Sequence, residues 1–341
     1  MTGKPLQLTR EQILAYRRQV QALNQRLPAG SESLRQAAWV GLQDSVPRSA
    51  LHALHARVAG VSPDALDDPA LVQVWGPRYV AYVVPAGEHV PFTLGRVPLG
   101  GRLPARARDL AARADKYLAG RQMNVEELAR AIGTRQVNEI RYATLTGTIL
   151  IRWKGARQPV VWTVPRSSLT PGAARQELAR RYLHMLGPST VDAFARWGGV
   201  EGRAALAAVE ALAAELLPVR TPLGEALVLA ADEAAIRKRP EPTDAARLLP
   251  SGDPYYLLWN GDRQLLVPNA THRGELWTTR VWPGAVLAGG EIIGTWRRAN
   301  AAVHVAPWRR LTAAERQRVE AEATSLPLPE VTPERSVAWQ E

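Results

Sequence analysis

The sequence predicts an α+β fold in which tandem winged-helix motifs are followed by a small, β-barrel-like C-terminal domain. Between residues 104 and 164, three helical patterns precede two strand-like runs, and the same order recurs between residues 175 and 229. Beyond residue 239, short β-like runs alternate with Gly and Pro. Three helices followed by a hairpin is the winged-helix order, in which the third helix enters a DNA groove and the hairpin lies against the backbone.

The first hundred residues predict a similar unit. Thr9 can cap a helix while Gln12 reaches back to it, as in a capping box. Apolar residues then recur at helical spacing. A second helix is expected after Ser31, and a third follows the turn at residues 41–47. Residues 74–98 are expected to form short strands punctuated by Gly and Pro.

Residues 104–164 give the clearest local pattern. A helix through residues 110–118 precedes Asn124, which starts a second helix, and Gly133 ends it. A third helix is expected over residues 135–146. The strands 148–153 and 159–164 then follow, joined by a turn at Gly155.

A composition shift at residues 238–242 predicts a linker. The predicted units are therefore 1–100 (a winged-helix-like unit carrying Gln43), 101–168 (second winged helix), 169–238 (third winged helix), 239–330 (the β-barrel-like domain) and 331–341 (a polar tail). Five of the eleven tryptophans lie between Trp259 and Trp308, which is more typical of a barrel core than of a base-stacking platform. At Trp296, beside two arginines, both interpretations stay open.

The net charge of +11 and the pI near 10.5 indicate a polyanionic partner, or else a high-GC genome that enriches Arg. Cysteine is absent, which excludes disulfides, thiolate metal sites and a Cys nucleophile. The first residues, MTGKPLQLTREQ, lack the apolar run of a secretory signal. We therefore expect a cytoplasmic protein that does not engage membranes.

His52 and His55 share one helical face, but no supporting carboxylate or third His follows at a suitable spacing. The glycines between residues 284 and 294 match no phosphate-binding loop and are typical of hairpin turns. We therefore expect no metal and no cofactor.

The third helix of the 104–164 unit and its hairpin are basic together. The segment from Arg135 to Arg157 contains five basic residues and only one acidic residue, Glu139. A solvated face is the ordinary explanation of such a run, but a helix and wing that are basic together favour contact with DNA phosphates.

Several segments in order resemble the AlkZ/YcaQ-like winged-helix superfamily, over about residues 8 to 325. They are Gly41-Leu42-Gln43, Arg180-Arg181-Tyr182, Gly187-Pro188, Phe194-Ala195-Arg196-Trp197, Leu248-Leu249-Pro250, Asp262-Arg263 and Gly294-Thr295-Trp296-Arg297. Each segment alone is a weak signal, whereas the ordered set is specific. The resemblance implies three winged helices, a C-terminal β-barrel, and a monofunctional DNA glycosylase that excises alkylated purines and unhooks some crosslinks.

In that family a Gln-x-Gln or Gln-x-Asp motif positions the water that attacks the sugar. Here Gln43 matches the first position, Ser45 occupies the second, and an acid lies one place early at Asp44. These three residues are the predicted catalytic set, although Asp44 or Ser45 could instead cap the following helix. The family's frequent Arg-Gly-Thr-Leu-His segment corresponds to residues 78–82, with Tyr82 in place of His.

The predicted partner is duplex DNA, damaged or intact, bound by a monomer, since no long heptad-like dimer helix is visible. The predicted DNA-binding residues are Arg78, Tyr82, Arg135, Asn138, Arg141, Tyr142, Lys154, Arg157, Arg297 and Arg298. The main alternative is a non-catalytic winged-helix binder, either a transcriptional regulator or a lesion sensor. A protein-binding scaffold is a third hypothesis, because winged helices and small barrels also bind proteins.

Overall fold

The computed structural model describes residues 5–46, 48–155, 157–299, 302–328 and 336–340, and it has a mixed α+β architecture. The helices are α1 (Arg10–Val20), α2 (Ser31–Ala37), α3 (Ser49–Arg57), α4 (Val90–Thr93), α5 (Leu103–Leu118), α6 (Val125–Ala131), α7 (Pro171–Leu186), α8 (Val191–Gly198), α9 (Gly202–Glu210), α10 (Glu233–Ile236), α11 (Gly261–Leu266), α12 (Ala270–Leu276) and α13 (Ala313–Thr324). The strands are β1 (Leu6–Gln7), β2 (Leu42–Gln43), β3 (Leu71–Trp75), β4 (Ala81–Pro85), β5 (Met123–Asn124), β6 (Ile149–Arg152), β7 (Val160–Thr163), β8 (Leu216–Thr221), β9 (Gly224–Leu229), β10 (Ala246–Leu249), β11 (Gly284–Ala288), β12 (Glu291–Ala299), β13 (Ala302–Pro307) and β14 (Ser336–Trp339).

The first helix begins as its sequence predicts. The Thr9 hydroxyl accepts a hydrogen bond from the Gln12 backbone N–H at 3.2 Å, and the Gln12 side chain accepts one from the Thr9 N–H at 3.0 Å. This reciprocal pair satisfies two amides that the first helical turn leaves free. The predicted turn at 41–47 contains the two-residue strand β2, which pairs with β4. Pro47 of this turn lies outside the described residues.

The segment from α5 to β7 has the predicted order of three helical stretches and a hairpin. Its third stretch, Val137–Thr146, is a 3-10 helix rather than an α-helix. The β-branched Val137, Thr144 and Thr146 favour an α-helix less than unbranched side chains do. Strands β6 and β7 pair as an antiparallel hairpin, and β5 adds to the free side of β7. Gly155 in the hairpin turn has a φ of +83°, a backbone conformation that favours glycine.

The predicted repeat of this order is present between α7 and β9. Three helices, α7 to α9, precede the antiparallel pair β8–β9, and the N-terminal strand β1 pairs in parallel with β8. Thr170 caps α7 through a hydrogen bond from the Ala173 N–H to its hydroxyl. The N-terminal strand β1 therefore completes a sheet whose other two strands, β8 and β9, come much later in the chain.

The C-terminal strands form a sheet where a barrel was expected. Their order is β10-β11-β12-β13-β14, and in the part of the chain that the structure describes the edge strands β10 and β14 do not pair with each other, so no closed barrel forms. Helix α13 packs on this sheet instead, and it buries Val319 and Ala323 in the same core as Trp296. The Trp296 indole N–H donates to the Leu249 carbonyl at 2.8 Å, so this ring belongs to the core. Part of the expected polar tail forms β14.

One six-stranded sheet, in the order β2-β4-β3-β6-β7-β5, connects the N-terminal segment to the 103–164 segment. The two halves join where Gln73 of β3 pairs with Ile151 of β6. The largest hydrophobic core likewise contains residues from all four predicted units, among them Leu14, Leu150, Leu178 and Tyr256. This sheet brings β2 and the β6–β7 hairpin into one framework. No helix of the described residues is both long and apolar enough to cross a membrane.

Candidate active site

The Gln43 side chain lies where distant parts of the fold meet. Its neighbour across the sheet is Tyr82, because β2 and β4 pair in this register. The Gln43 Oε1 atom accepts a hydrogen bond from the Arg78 guanidinium at 3.0 Å and one from the Tyr82 hydroxyl at 3.3 Å. On another side lies Gly252, where a Cβ atom would come within 2.8 Å of Gln43 Nε2. Glycine at this position therefore makes room for the Gln43 amide.

Arg78 is held in place from several directions. Its guanidinium donates to the Trp197 carbonyl at 2.6 Å and to the Tyr82 hydroxyl at 2.9 Å, and it lies 5.0 Å from the centre of the Trp259 ring. Arg78 and Tyr79 have φ values of +58° and +59°, which cost L-residues roughly 1–2 kcal/mol each. Such backbone strain persists only where surrounding contacts outweigh it, and it concentrates at functional sites.

These contacts set the orientation of the Gln43 amide. Both of its Oε1 lone pairs face donors, so the Nε2 end points the other way and donates to the Ser45 hydroxyl at 2.6 Å. Ser45 is exposed, and its oxygen can both accept and donate hydrogen bonds. The second N–H of the Gln43 amide has no acceptor among the hydrogen bonds of the described residues. The arrangement can therefore hold a water molecule beside two fixed polar groups.

Asp44 lies between these two residues in sequence, but its carboxylate is buried and only 2% of its surface is exposed. It accepts a hydrogen bond from the Ala50 backbone N–H at 3.1 Å, and the Gln73 amide donates to it at 3.4 Å. Asp44 thus accepts a hydrogen bond from the first turn of α3, although the N-cap residue itself is Arg48, and this is close to the structural alternative that the sequence left open. Its side chain makes no contact with Gln43 among the hydrogen bonds of the described residues. Burial raises the pKa of the Asp44 carboxyl to about 6, although the amides of α3 oppose that shift.

This pKa predicts a pH-dependent effect of Asp44→Asn. The unfolded chain loses the Asp44 proton near pH 3.8, whereas the folded protein keeps it until about pH 6. The wild type therefore loses stability as pH rises through this interval, because only the folded state must ionise a buried acid. Asn caps helices as well as Asp does and stays neutral. The variant should gain up to about 3 kcal/mol relative to wild type between pH 3.5 and pH 7.5, as measured by urea denaturation. A difference in unfolding free energy between Asp44→Asn and wild type that does not change with pH would contradict this account.

The predicted DNA-binding residues fall into two groups, one exposed at the surface and one packed near Gln43. Arg135 and Asn138 are exposed at the start of the 3-10 helix, and Arg157 is exposed in the hairpin turn. Lys154 is exposed but forms an ion pair with Asp67 at 3.1 Å, which partly neutralises its charge. Arg297 and Arg298 are exposed near the end of β12.

The other predicted DNA-binding residues lie nearer to Gln43. Tyr82 is fully buried and lies under Gln43 instead of at the surface. Arg141 donates to the Tyr79 carbonyl at 3.3 Å and lies 6.0 Å from the centre of the Trp75 ring. Tyr142 packs edge-on against Tyr79, with ring centres 5.3 Å apart. The middle of the 3-10 helix therefore packs against the β3–β4 turn that carries Arg78.

Several residues of this site were missed by the sequence analysis. They are Gln73, Trp197, Gly252 and Trp259, whose contacts with Gln43, Asp44 or Arg78 cross long stretches of chain. Gly252 follows the Leu248-Leu249-Pro250 segment, and Trp259 belongs to the tryptophan cluster. Nothing in the local pattern links either of them to Gln43.

His52 and His55 are both buried, and burial lowers their pKa values to about 4 and about 3. The His55 Nε2 atom lies 3.1 Å from the Ser325 hydroxyl, so this ring joins α3 to the end of α13. Among the described residues, no group of three or more His, Cys, Asp or Glu side chains could hold a metal ion.

Comparison with known proteins identifies a family and a solved structure of similar fold. The model of a family described as "DNA glycosylase AlkZ-like" matches residues 36–327 of the chain. Among solved structures, the chain is similar to the Streptomyces sahachiroi DNA glycosylase AlkZ, with a TM-score of 0.81 and 18% sequence identity. The match covers 98% of this chain and 100% of that one, and at this identity it shows the fold alone. None of the curated proteins searched matches the sequence significantly.

Proposed function

The chain belongs to the AlkZ-like DNA glycosylase family, and we propose from this that it is a monofunctional glycosylase that excises alkylated or crosslinked purines from duplex DNA. The observation that supports this proposal most directly is the fixed pair of Gln43 and Ser45. Arg78 and Tyr82 hold one end of the Gln43 amide, and the other end donates to an exposed hydroxyl. Two oriented polar groups beside a basic surface suit hydrolysis at a DNA sugar.

Excision of an alkylated purine requires little of the protein beyond the positioning of a water molecule. When a purine carries a positive charge from alkylation, breaking the bond between C1′ and N9 returns an electron pair to the base and neutralises it. The sugar becomes oxocarbenium-like, water adds to C1′, and a proton leaves to solvent. We assign to Gln43 and Ser45 the task of holding this water, since a well-placed reactant lowers the barrier without a strong base. Ser45 occupies the second position of the family motif, and we assign to Asp44 a structural role at the start of α3.

We assign DNA binding to the segment from α5 to β7, acting as a winged helix. Its exposed Arg135 and Asn138 lie at the start of the third helical stretch, and Arg157 lies in the wing. No ion pair involving Arg135 or Arg157 is present among the described residues. Arginines without acidic partners can neutralise phosphates and release counterions.

Arg135→Ala should weaken binding to duplex DNA and reduce the salt dependence of the affinity by about one unit of log–log slope, if it contacts one phosphate. Lys154→Ala should have a smaller effect, because Asp67 already pairs with Lys154. Fluorescence anisotropy across a salt series measures both effects, and melting temperatures should stay close to that of the wild type since exposed charges contribute little to folding. An unchanged slope for Arg135→Ala would remove Arg135 from the interface.

The proposed activity is tested by incubating the protein with duplex DNA that contains 7-methylguanine and measuring free base. Release of 7-methylguanine, leaving an intact strand with an abasic site, is the expected result. Retained, salt-sensitive DNA binding without release from any alkylated duplex would support the non-catalytic binder instead.

A further inference from the structure

Arg96 is a buried arginine whose side chain lies beside the turn that carries Arg78. Only 4% of Arg96 is exposed, and its Nε and Nη1 atoms have no hydrogen-bond partner. Burial lowers the pKa of its guanidinium to about 10, and the charge of Arg78 acts in the same direction. The group is therefore still protonated at neutral pH, and it forms no ion pair with any acid of the described residues.

A buried cation without an acidic partner makes a fold less stable. Burial removes the water that hydrates the charge, and arginines are almost never fully buried unless they are paired. The contact that Arg96 does make is with an aromatic ring, since its Cζ atom lies 4.6 Å from the centre of the Tyr79 ring. Replacing buried charges with apolar side chains of similar size is often neutral or stabilising. An arginine at this position therefore indicates a role other than stability.

Tyr79 connects Arg96 to the candidate active site. Its ring and its carbonyl also contact the 3-10 helix Val137–Thr146, so Tyr79 is held on more than one side. Tyr79 directly follows Arg78, and both residues have positive φ values. Two neighbouring residues keep such a strained backbone only where the surrounding contacts hold them in it. The contact with Arg96 is thus one of the restraints that keep the Arg78 guanidinium on Gln43 Oε1.

The segment that carries Arg96 is itself firmly placed. It is a short 3-10 turn, Leu94–Arg96, and it packs on α7. A Cβ atom at Gly95 would come within 3.0 Å of the Ala174 backbone, so glycine allows this turn to lie directly on the helix. Helix α7 belongs to another of the predicted units. Arg96 therefore links that helix to the Arg78–Tyr79 turn.

From these contacts we propose that Arg96 is a positioning residue, whose buried charge over the Tyr79 ring keeps the Arg78–Tyr79 turn strained and Arg78 hydrogen-bonded to Gln43. This proposal rests on the proposed function, because the turn is held for the orientation of the Gln43 amide. It differs from a structural role in the sign of its effect on stability. A structural residue stabilises the protein, whereas Arg96 leaves it less stable than an apolar residue would.

The test compares Arg96→Met with wild type in the full-length protein. The melting temperature should equal or exceed that of wild type, because the variant removes a buried charge and lets the strained turn relax. Single-turnover release of 7-methylguanine at saturating protein should slow about tenfold, since Gln43 is less well positioned. DNA affinity should change little. Hydrogen exchange should quicken in residues 76–80, where the Gly76 N–H donates to the Val80 carbonyl.

Two matched variants serve as controls. Tyr79→Phe keeps a ring face for the Arg96 guanidinium and should retain both the rate of release and the slow exchange. Arg247→Met removes another buried arginine, whose pKa burial likewise lowers to about 10. Arg247 donates to the Ala246 carbonyl at 2.7 Å, so its variant should melt at a lower temperature. Its release of 7-methylguanine should stay close to the wild-type rate.

The double variant Gln43→Ala/Arg96→Met tests whether Arg96 acts through Gln43. It should release base no more slowly than Gln43→Ala alone, because residues that act on the same step are not additive. Additive losses would overturn the proposal, and so would a lowered melting temperature of Arg96→Met with unchanged exchange at residues 76–80. A wild type that releases no base would overturn the proposed function. Faster exchange with a raised melting temperature in Arg96→Met would still support Arg96 as the restraint on the turn.

Discussion

Gln43→Ala is expected to slow the release of 7-methylguanine roughly 100-fold under single-turnover conditions, the typical cost of losing one preorganised polar group. The variant loses the donor that orients Ser45, so the attacking water is no longer held at C1′. Arg78 keeps its bonds to Tyr82 and to the Trp197 carbonyl, so the surrounding framework should remain. DNA affinity should change little, because the lost contact acts mainly in the transition state.

Three controls test whether the effect belongs to Gln43. Ser45→Ala should also slow release, since it removes the partner of the Gln43 amide. Ser45→Gln recreates the family's Gln-x-Gln pattern and should keep or raise the rate. Asp44→Asn should release base at nearly the wild-type rate, because that carboxylate is turned toward α3. Loss of release in Asp44→Asn alone would transfer the chemical role from Gln43 to Asp44.

The elements that sequence predicted well are those whose signals are local. The capping box at Thr9 involves residues three apart, and the three helical stretches before the Gly155 hairpin each carry their own periodicity and stop signals. The open C-terminal sheet shows the limit of such signals. Alternation of apolar and polar residues identifies strands. Closure into a barrel depends instead on whether the two edge strands pair, and here α13 packs on the open sheet.

The candidate site shows the same limit at the level of single residues. The sequence predicts a turn at residues 41–47 and indicates Gln43, Asp44 and Ser45 together as catalytic candidates. Pairing of β2 with β4 instead places Gln43 and Ser45 on one side and Asp44 on the other, because side chains of extended backbone alternate. Gly252 and Trp259 could not be assigned to the site, since more than two hundred residues separate Gly252 from Gln43 and only packing brings them together.

Asp253→Ala is expected to cost about 3–5 kcal/mol of unfolding free energy, the usual effect of breaking a buried ion pair from one side. Asp253 and Arg57 form two hydrogen bonds of 2.7 and 2.8 Å, and their side chains are 0% and 1% exposed. Because Gly252 precedes Asp253 and contacts Gln43, loss of this anchor should also slow base release.

Urea denaturation of Asp253→Ala and of Glu291→Gln compares the loss of a buried ion pair with the loss of a half-exposed one. Glu291 pairs with Arg10 at 2.6 Å in a half-exposed position, so its variant should cost less than about 1 kcal/mol. The double variant Arg57→Met/Asp253→Leu should recover much of the loss, since apolar side chains of similar size leave no buried charge unpaired. A loss below about 1 kcal/mol for Asp253→Ala would show that water reaches Arg57 once the carboxylate is gone. The segment beside Gln43 would then be held mainly by hydrophobic packing around Tyr256 and Leu249, both of which are fully buried.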